Sequence, residues 1–460
     1  MESINKKYIL ICLLVFSTIN LTAQGYKLPN YTSFKLSNGL TFNLMEQHDV
    51  PIVDVSILFP AGAIYDHEKA GLASLTATAL KHGTISFSKA KLEEELDFIG
   101  ANIDTYANKE YAGLSSNFAA KDKEKVLLLI KEVVLNPVFD STEFEKEKTR
   151  LLVRLEQQKE SPRSVIGFYF DGLLYGNHVY GNNINGTKTT VGKLSVDDVK
   201  DFYKTNYRPE ESVISIVGDF NSAEMKKTLT KLFSSWKKGT HEKENLASKP
   251  ITIPTENKVL LVNKDDAKET TMYIGASGIN RNNPDYVAID VVNTLFGGRF
   301  TSMLNDELRV NSGLTYGASS RFSALKNGGS FIMSTFTAVN TTEATIDKLL
   351  EVLKKLHTNG IDEQSLASAK NYVKGQFPPR YETAGQLSSL LSQMHWYDID
   401  RSYIDNFEKN VDGLDLAKAN QIIEKYYPKD KLQFVLVGKA SEIKKIAEKY
   451  GPVTQVEITE

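Results

Sequence analysis

Cysteine is all but absent from this chain. Cys12 is the single one in 460 residues, and it lies inside an N-terminal apolar run. Once that run is removed no cysteine remains, which excludes disulfides, thiolate metal sites and thiol catalysis. Histidine is scarce as well. The seven are His48, His67, His82, His178, His241, His357 and His395, and no two stand three or four residues apart. No helix therefore offers a histidine pair to one metal ion. An excess of either charge is also lacking: 55 lysines and arginines face 57 aspartates and glutamates, a net charge of −2. That balance, with no polybasic run, gives no electrostatic reason to expect nucleic acid or an anionic membrane. Beyond the N-terminus no apolar stretch approaches the ~20 residues a membrane helix needs. What is present, 41% hydrophobic and 24% charged residues, is the composition of an ordinary globular protein. The length predicts two or more domains.

The first 24 residues read as a secretory signal. Lys6 and Lys7 precede the apolar stretch Tyr8 to Ile19, and a small residue, Ala23, closes it. The expected location is exported, periplasmic or secreted, with no membrane span once the signal is removed.

The rest of the chain reads as an internal duplication. Ser115-Ser116-Asn117-Phe118-Ala119 leads into a helical stretch from Lys123, as Ser334-Thr335-Phe336-Thr337-Ala338 leads into one from Glu343. Tyr207-Arg208-Pro209 followed by Val213 to Gly218 is echoed by Tyr427-Pro428 followed by Phe434 to Gly438. Phe118 recurs as Phe336, 218 residues on, and Gly218 as Gly438, 220 residues on. A nearly constant offset over such a distance marks a repeated domain. Its halves run from 30 to 236 and from 253 to 456, joined by a linker at 237–252 whose core is the polar run Lys237 to Asn245. Asn38-Gly39 between alternating runs predicts a hairpin. Adjacent strands with paired helices between them predict an α+β class: two homologous domains, each a mainly antiparallel sheet covered by helices, together forming a clamshell-like shell.

One segment carries the chemical question. Ala70-Gly71-Leu72-Ala73 and Gly83-Thr84 flank a helical stretch containing Ser74, Ala77 and Thr78. With Leu36 to Leu40, Leu174 to His178, Tyr203 to Pro209, Gly297-Gly298-Arg299, Leu308-Arg309 and Gly313 to Tyr316 in that order, the chain resembles the pitrilysin/insulinase zinc peptidases of the short two-domain type. The resemblance spans about Phe34 to Val453. It implies an inverted zinc motif, His-x-x-Glu-His, whose histidine positions are held here by Ser74 and Thr78 and whose glutamate position is held by Ala77. Arg154 stands where the third ligand is expected. A hydrolytic zinc needs about three nitrogen or carboxylate ligands and a base for its water. Two neutral hydroxyls, a methyl and a fixed cation supply none of these. The expectation is no metal and no cofactor in this chain.

The resemblance also implies that Arg309 and Tyr316 form a pair reaching across the cleft to the substrate carbonyl and its transition state. It implies peptide substrates bound by strand addition along Asn102, Asp104, Thr105 and Tyr106, although the family has asparagine where Asp104 stands and alanine where Thr105 stands. Some members of the family work in pairs. This chain is therefore expected to be the non-catalytic subunit of a heterodimeric metallopeptidase, its partner a sister subunit bearing His-x-x-Glu-His and the zinc. The alternative is a non-proteolytic binding or assembly protein on the same fold. Gly181 to Gly186 reads as a turn rather than a phosphate loop. The charge run Glu143 to Arg150 reads as a solvated helix face.

Overall fold

The computed structural model describes residues 25–239 and 246–459. The expected signal at 1–24 and the polar core of the linker at 240–245 lie outside the described residues. Immediately after that segment the chain is buried: Leu246 and Ala247 are 5% and 3% exposed.

The strands of the first half are β1 (Thr32–Lys35), β2 (Thr41–Glu46), β3 (Ile52–Phe59), β4 (Asp104–Ala107), β5 (Ala112–Ala119) and β6 (Val213–Gly218). They form one sheet in the order β1-β2-β6-β3-β5-β4. The second half has β7 (Lys258–Asn263), β8 (Glu269–Ser277), β9 (Ala318–Ala324), β10 (Gly329–Ala338), β11 (Gln433–Gly438) and β12 (Val453–Glu457). Their order is β12-β7-β11-β8-β10-β9. Every adjacent pair is antiparallel except β2–β6, β7–β11 and β7–β12. The α+β class with two homologous, mainly antiparallel sheets is thus the observed architecture. The halves differ at one edge, where β1 comes from the start of the chain and β12 from its end. Asn38-Gly39 makes the β1–β2 turn, with Gly39 at a φ of 95° that side chains seldom adopt.

The central strands β6 (Val-Ile-Ser-Ile-Val-Gly) and β11 (Gln-Phe-Val-Leu-Val-Gly) are buried at every position. A strand reads that way only when both sheet faces are covered. One face of each sheet is covered by helices of its own half; in the first these include Lys123–Leu135 and Ser222–Phe233, whose apolar residues join those of β2, β3 and β5. The other face is covered by a helix from the opposite half. The Pro162–Tyr175 helix lays Val165, Ile166, Tyr169 and Phe170 against Val262, Ile332, Val435 and Val437 of the second sheet. The Ala384–Trp396 helix lays Leu387 and Leu391 in one core with Met45 and Val217 of the first. Gly275 in β8 permits the approach: a Cβ there would sit 2.0 Å from the Phe331 carbonyl oxygen and 2.9 Å from the Phe170 ring. Each fully buried aliphatic or aromatic side chain contributes about 1.5–3 kcal/mol, so this exchange ties the halves together.

Candidate functional site

The Leu72–Ala79 helix starts where the sequence pattern places it, and Asp66 holds its N-terminus. The Asp66 carboxylate accepts from the amides of Gly71 (2.9 Å) and Ala73 (2.8 Å). Burial pushes its pKa well above the usual carboxylate range, against the pull of those amides. Ser74 and Thr78 lie half-buried on one face, and Ala77 is fully buried. Thr78 Oγ1 donates to the Ser74 carbonyl one turn back at 3.1 Å, so that hydroxyl is spent within its own helix.

The Ser141–Gln158 helix packs beside it and carries Arg154, whose guanidinium pairs with Glu147 at 3.6 Å. Arg150 joins the same carboxylate at 3.4 Å. One expectation needs correction here. The run Glu143 to Arg150 is not wholly a solvated face, because the Glu147 and Lys148 side chains are each only 15% exposed. Lys148 turns inward to donate to the Leu194 carbonyl at 3.0 Å. His82, just past the zinc-like helix, is buried and its Nδ1 has no partner. Burial, helped by Lys89, lowers its pKa and keeps the ring neutral. Among the described residues, no three histidines, cysteines or carboxylates are grouped to hold a metal ion. The donor set at Ser74, Ala77, Thr78 and Arg154 does not suit zinc: weak neutral oxygens, a methyl and a paired cation.

Strand β4 lies at the outer edge of the first sheet, beside the zinc-like helix. Asp104, Thr105 and Tyr106 are in it, whereas Asn102 lies just before it. Asn102 is occupied: its Oδ1 accepts from the Asn117 amide at 2.8 Å and its Nδ2 donates to Asp104 at 2.7 Å. Lys81 Nζ donates to the Ile103 carbonyl at 2.9 Å and lies 3.8 Å from Asp104, so a cation guards the start of this edge. The Tyr106 ring lies over Gly113, where a Cβ would come within 2.3 Å of it.

The second half presents a different arrangement. Arg309 lies in a π-helical segment, Asp306–Asn311, of the kind that often marks functional positions. Its guanidinium lies between two rings, with the Phe300 and Tyr316 centroids each 4.7 Å away. Those rings are 66% and 76% exposed. No ion pair or hydrogen bond engages the Arg309 guanidinium among the described residues.

The supporting shell is buried and well bonded. Leu308 is fully buried, and Asn305 Nδ2 donates to the Phe300 carbonyl (2.6 Å) while its Oδ1 accepts from the Ala318 amide (3.3 Å). Thr335 Oγ1 donates to Thr315 (3.0 Å) and Thr337 Oγ1 to the Leu314 carbonyl (2.6 Å), anchoring the loop that bears Tyr316. Sequence reasoning reached Arg309 and Tyr316 but missed Phe300 and Asn305. Phe300 follows Gly297-Gly298-Arg299 directly, a signal that was available; Asn305 had none. No hydrogen bond, ion pair or ring contact joins this cluster to the Ser74–Thr78 helix among the described residues.

With this geometry in place, comparison with known proteins is decisive. Residues 42–188 match the family described as Insulinase (Peptidase family M16), and residues 193–373 match the Peptidase M16 inactive domain. The chain belongs to peptidase family M16. It is 22% identical over 398 residues to a Bacillus subtilis protein named uncharacterized zinc protease YmxG, covering 86% of this chain and 96% of that one. It is 23% identical over 399 residues to the Helicobacter pylori non-peptidase homolog YmxG, covering 85% and 90%. The fold matches the crystal structure of a peptidase M16 inactive domain from Pseudomonas fluorescens, with a TM-score of 0.83, 24% identity, and 89% of this chain and 98% of that chain covered. An M16 frame without zinc ligands, related to inactive homologues, is that of a non-catalytic member. No helix of the described residues is long and apolar enough to cross a membrane.

Proposed function

We propose that this M16 chain is the substrate-engaging, non-catalytic subunit of a two-chain zinc peptidase whose metal is held by a sister subunit bearing His-x-x-Glu-His. The observation that carries the reading is Arg309. Its guanidinium is clamped between two exposed rings, with its hydrogen-bond donors unused. A buried or surface-paired arginine spends its donors within the fold, whereas this one is oriented and left with its full capacity for an oxygen outside the chain. Beside a sister's zinc, Arg309 and the Tyr316 hydroxyl would donate to the scissile carbonyl as it becomes an oxyanion. Substrates are peptides or unfolded segments, and the edge of β4 offers main-chain hydrogen bonds to an extended strand. Export to the periplasm, directed by residues 1–24, belongs to the same proposal.

The test is peptidase activity on a mixed peptide library with this chain alone, a zinc-bearing sister alone, and the two together, each with metal analysis. Activity that rises sharply only in the mixture, with the zinc accounted for by the sister, is the expected result. Stoichiometric zinc in the isolated chain sinks the proposal. A mixture with no gain in activity and no complex points instead to a binding or assembly protein on the same fold.

A further inference from the structure

Arg309 is not the only arginine left without a polar partner. Elsewhere in the second half, Arg281 and Arg380 line one cavity of about 210 Å³, set among the segment after β8, the Pro378–Tyr381 turn and the Ala384–Trp396 helix. Among the described residues neither guanidinium has an ion pair or a side-chain hydrogen bond. Arg281 is half-buried and held by ring contacts, 4.1 Å from the Tyr286 centroid and 5.1 Å from that of Tyr403. No carboxylate lines the cavity. Asp290 is close enough for both arginines to act on it electrostatically, but burial is the larger influence and raises its pKa, which weakens it as a counter-ion. Leu390, Met394 and Ile399 add apolar surface to the lining, alongside the polar Gln386, Ser389 and Gln393.

We propose that this cavity binds the C-terminal carboxylate of a peptide whose last residue is apolar. Two arginines with unused donors fit a carboxylate, which a guanidinium can grip through two parallel hydrogen bonds. The apolar surface of Leu390, Met394 and Ile399 fits a side chain attached beside it. The volume equals about seven waters at ~30 Å³ each, enough for one residue and its carboxylate. Inorganic phosphate shares the charge but makes no use of Leu390, Met394 or Ile399. This site is separate from the Arg309 cluster and does not depend on a sister subunit.

Calorimetric titration of the full chain with acetyl-Ala-Ala-Leu as the free acid, with the same peptide as its C-terminal amide, and with inorganic phosphate tests the assignment. Saturable binding of the acid is expected, at least tenfold weaker for the amide and at least tenfold weaker in Arg380→Gln. Arg380 is exposed and bonds to nothing through its side chain, so that variant keeps the fold; Arg281→Lys, which keeps the charge but loses the fork, is expected to weaken the acid as well. No binding of the acid, equal binding of acid and amide, or unchanged affinity in Arg380→Gln each overturns the proposal. Phosphate binding more tightly than the acid overturns it too, leaving a simple anion site.

Discussion

The two halves of this molecule each build a six-stranded, mainly antiparallel sheet, yet they treat the polar groups of their candidate sites differently. Around the zinc-like helix of the first half several polar groups are paired within the fold, although the buried Thr76 Oγ1 and His82 Nδ1 have no partner among the described residues. Thr78 bonds to its own helix, Arg154 and Arg150 share Glu147, and Asn102 is committed to Asn117 and Asp104. In the second half the Arg309 guanidinium has no ion pair or hydrogen bond among the described residues and lies against two rings that solvent reaches. The difference is one of pairing: side chains engaged with one another in the first half, a guanidinium held by ring contacts alone in the second. These pairings limit the cost of burial, since an unpaired buried polar group costs about 1–3 kcal/mol, a cost that Thr76 Oγ1 and His82 Nδ1 still carry among the described residues. A cation held on exposed rings gains little for stability, which is why the proposed function gives it an external partner.

The comparison can be broken most forcefully by restoring the missing ligands. Ser74→His, Thr78→His and Arg154→Glu together should give one zinc per chain at sub-micromolar affinity, worth about 8 kcal/mol, measured by metal analysis after dialysis. Ala77 is left alone because it is fully buried. A folded triple variant that takes up no zinc would mean the frame has drifted along with its side chains. Next in size is Arg309→Ala in the reconstituted pair, expected to lower kcat by about 10²–10³-fold, as loss of an oxyanion donor does. Tyr316→Phe should cost up to about tenfold, one neutral hydrogen bond. Unchanged kcat in both variants would place the second half beside the first as silent.

A smaller effect is expected at the seam between the halves. The buried Glu110 carboxylate accepts from the Lys326 amide of the second half at 2.9 Å and from the Tyr180 hydroxyl of the first. Burial raises its pKa above the ordinary glutamate value, although those donors oppose the shift. The folded state therefore keeps this proton over a range where the unfolded chain has lost it. The resulting stabilisation is complete below the unfolded value of about 4.3 and is lost as pH climbs through the raised folded value. The Tm of wild type relative to Glu110→Gln should accordingly fall with rising pH; a flat difference would show that Glu110 does not titrate in the folded chain. The smallest effect is assigned to Arg154→Ala. Its guanidinium is exposed and 3.6 Å from Glu147, which keeps Arg150 as a partner, so the pair contributes less than about 0.5 kcal/mol and thermal unfolding should barely register its loss.

Much of this was legible along the chain, and the reason is local. The Lys123–Leu135 helix follows from its amphipathic pattern, the β1–β2 turn from Asn38-Gly39, and the duplication from motifs recurring at nearly constant offset. That Ser74, Ala77, Thr78 and Arg154 bring no zinc donor set was legible too, since ligand identity is a property of residue type. Arg309 and Tyr316 could be named only through the family resemblance. Their state could not.

Whether an arginine is paired depends on which carboxylates arrive from distant parts of the chain. Local pattern does not encode that, so the free guanidinium between Phe300 and Tyr316 was decided by tertiary packing alone. The same holds for Asn305, whose role rests on bonds to Phe300 and Ala318, and for Glu110, whose partners lie 70 and 216 residues away. The exchange of the Pro162–Tyr175 and Ala384–Trp396 helices between the halves belongs here as well. Each helix announces an apolar face, but hydrophobic burial is non-directional, and only the assembled sheets determine which half that face will cover.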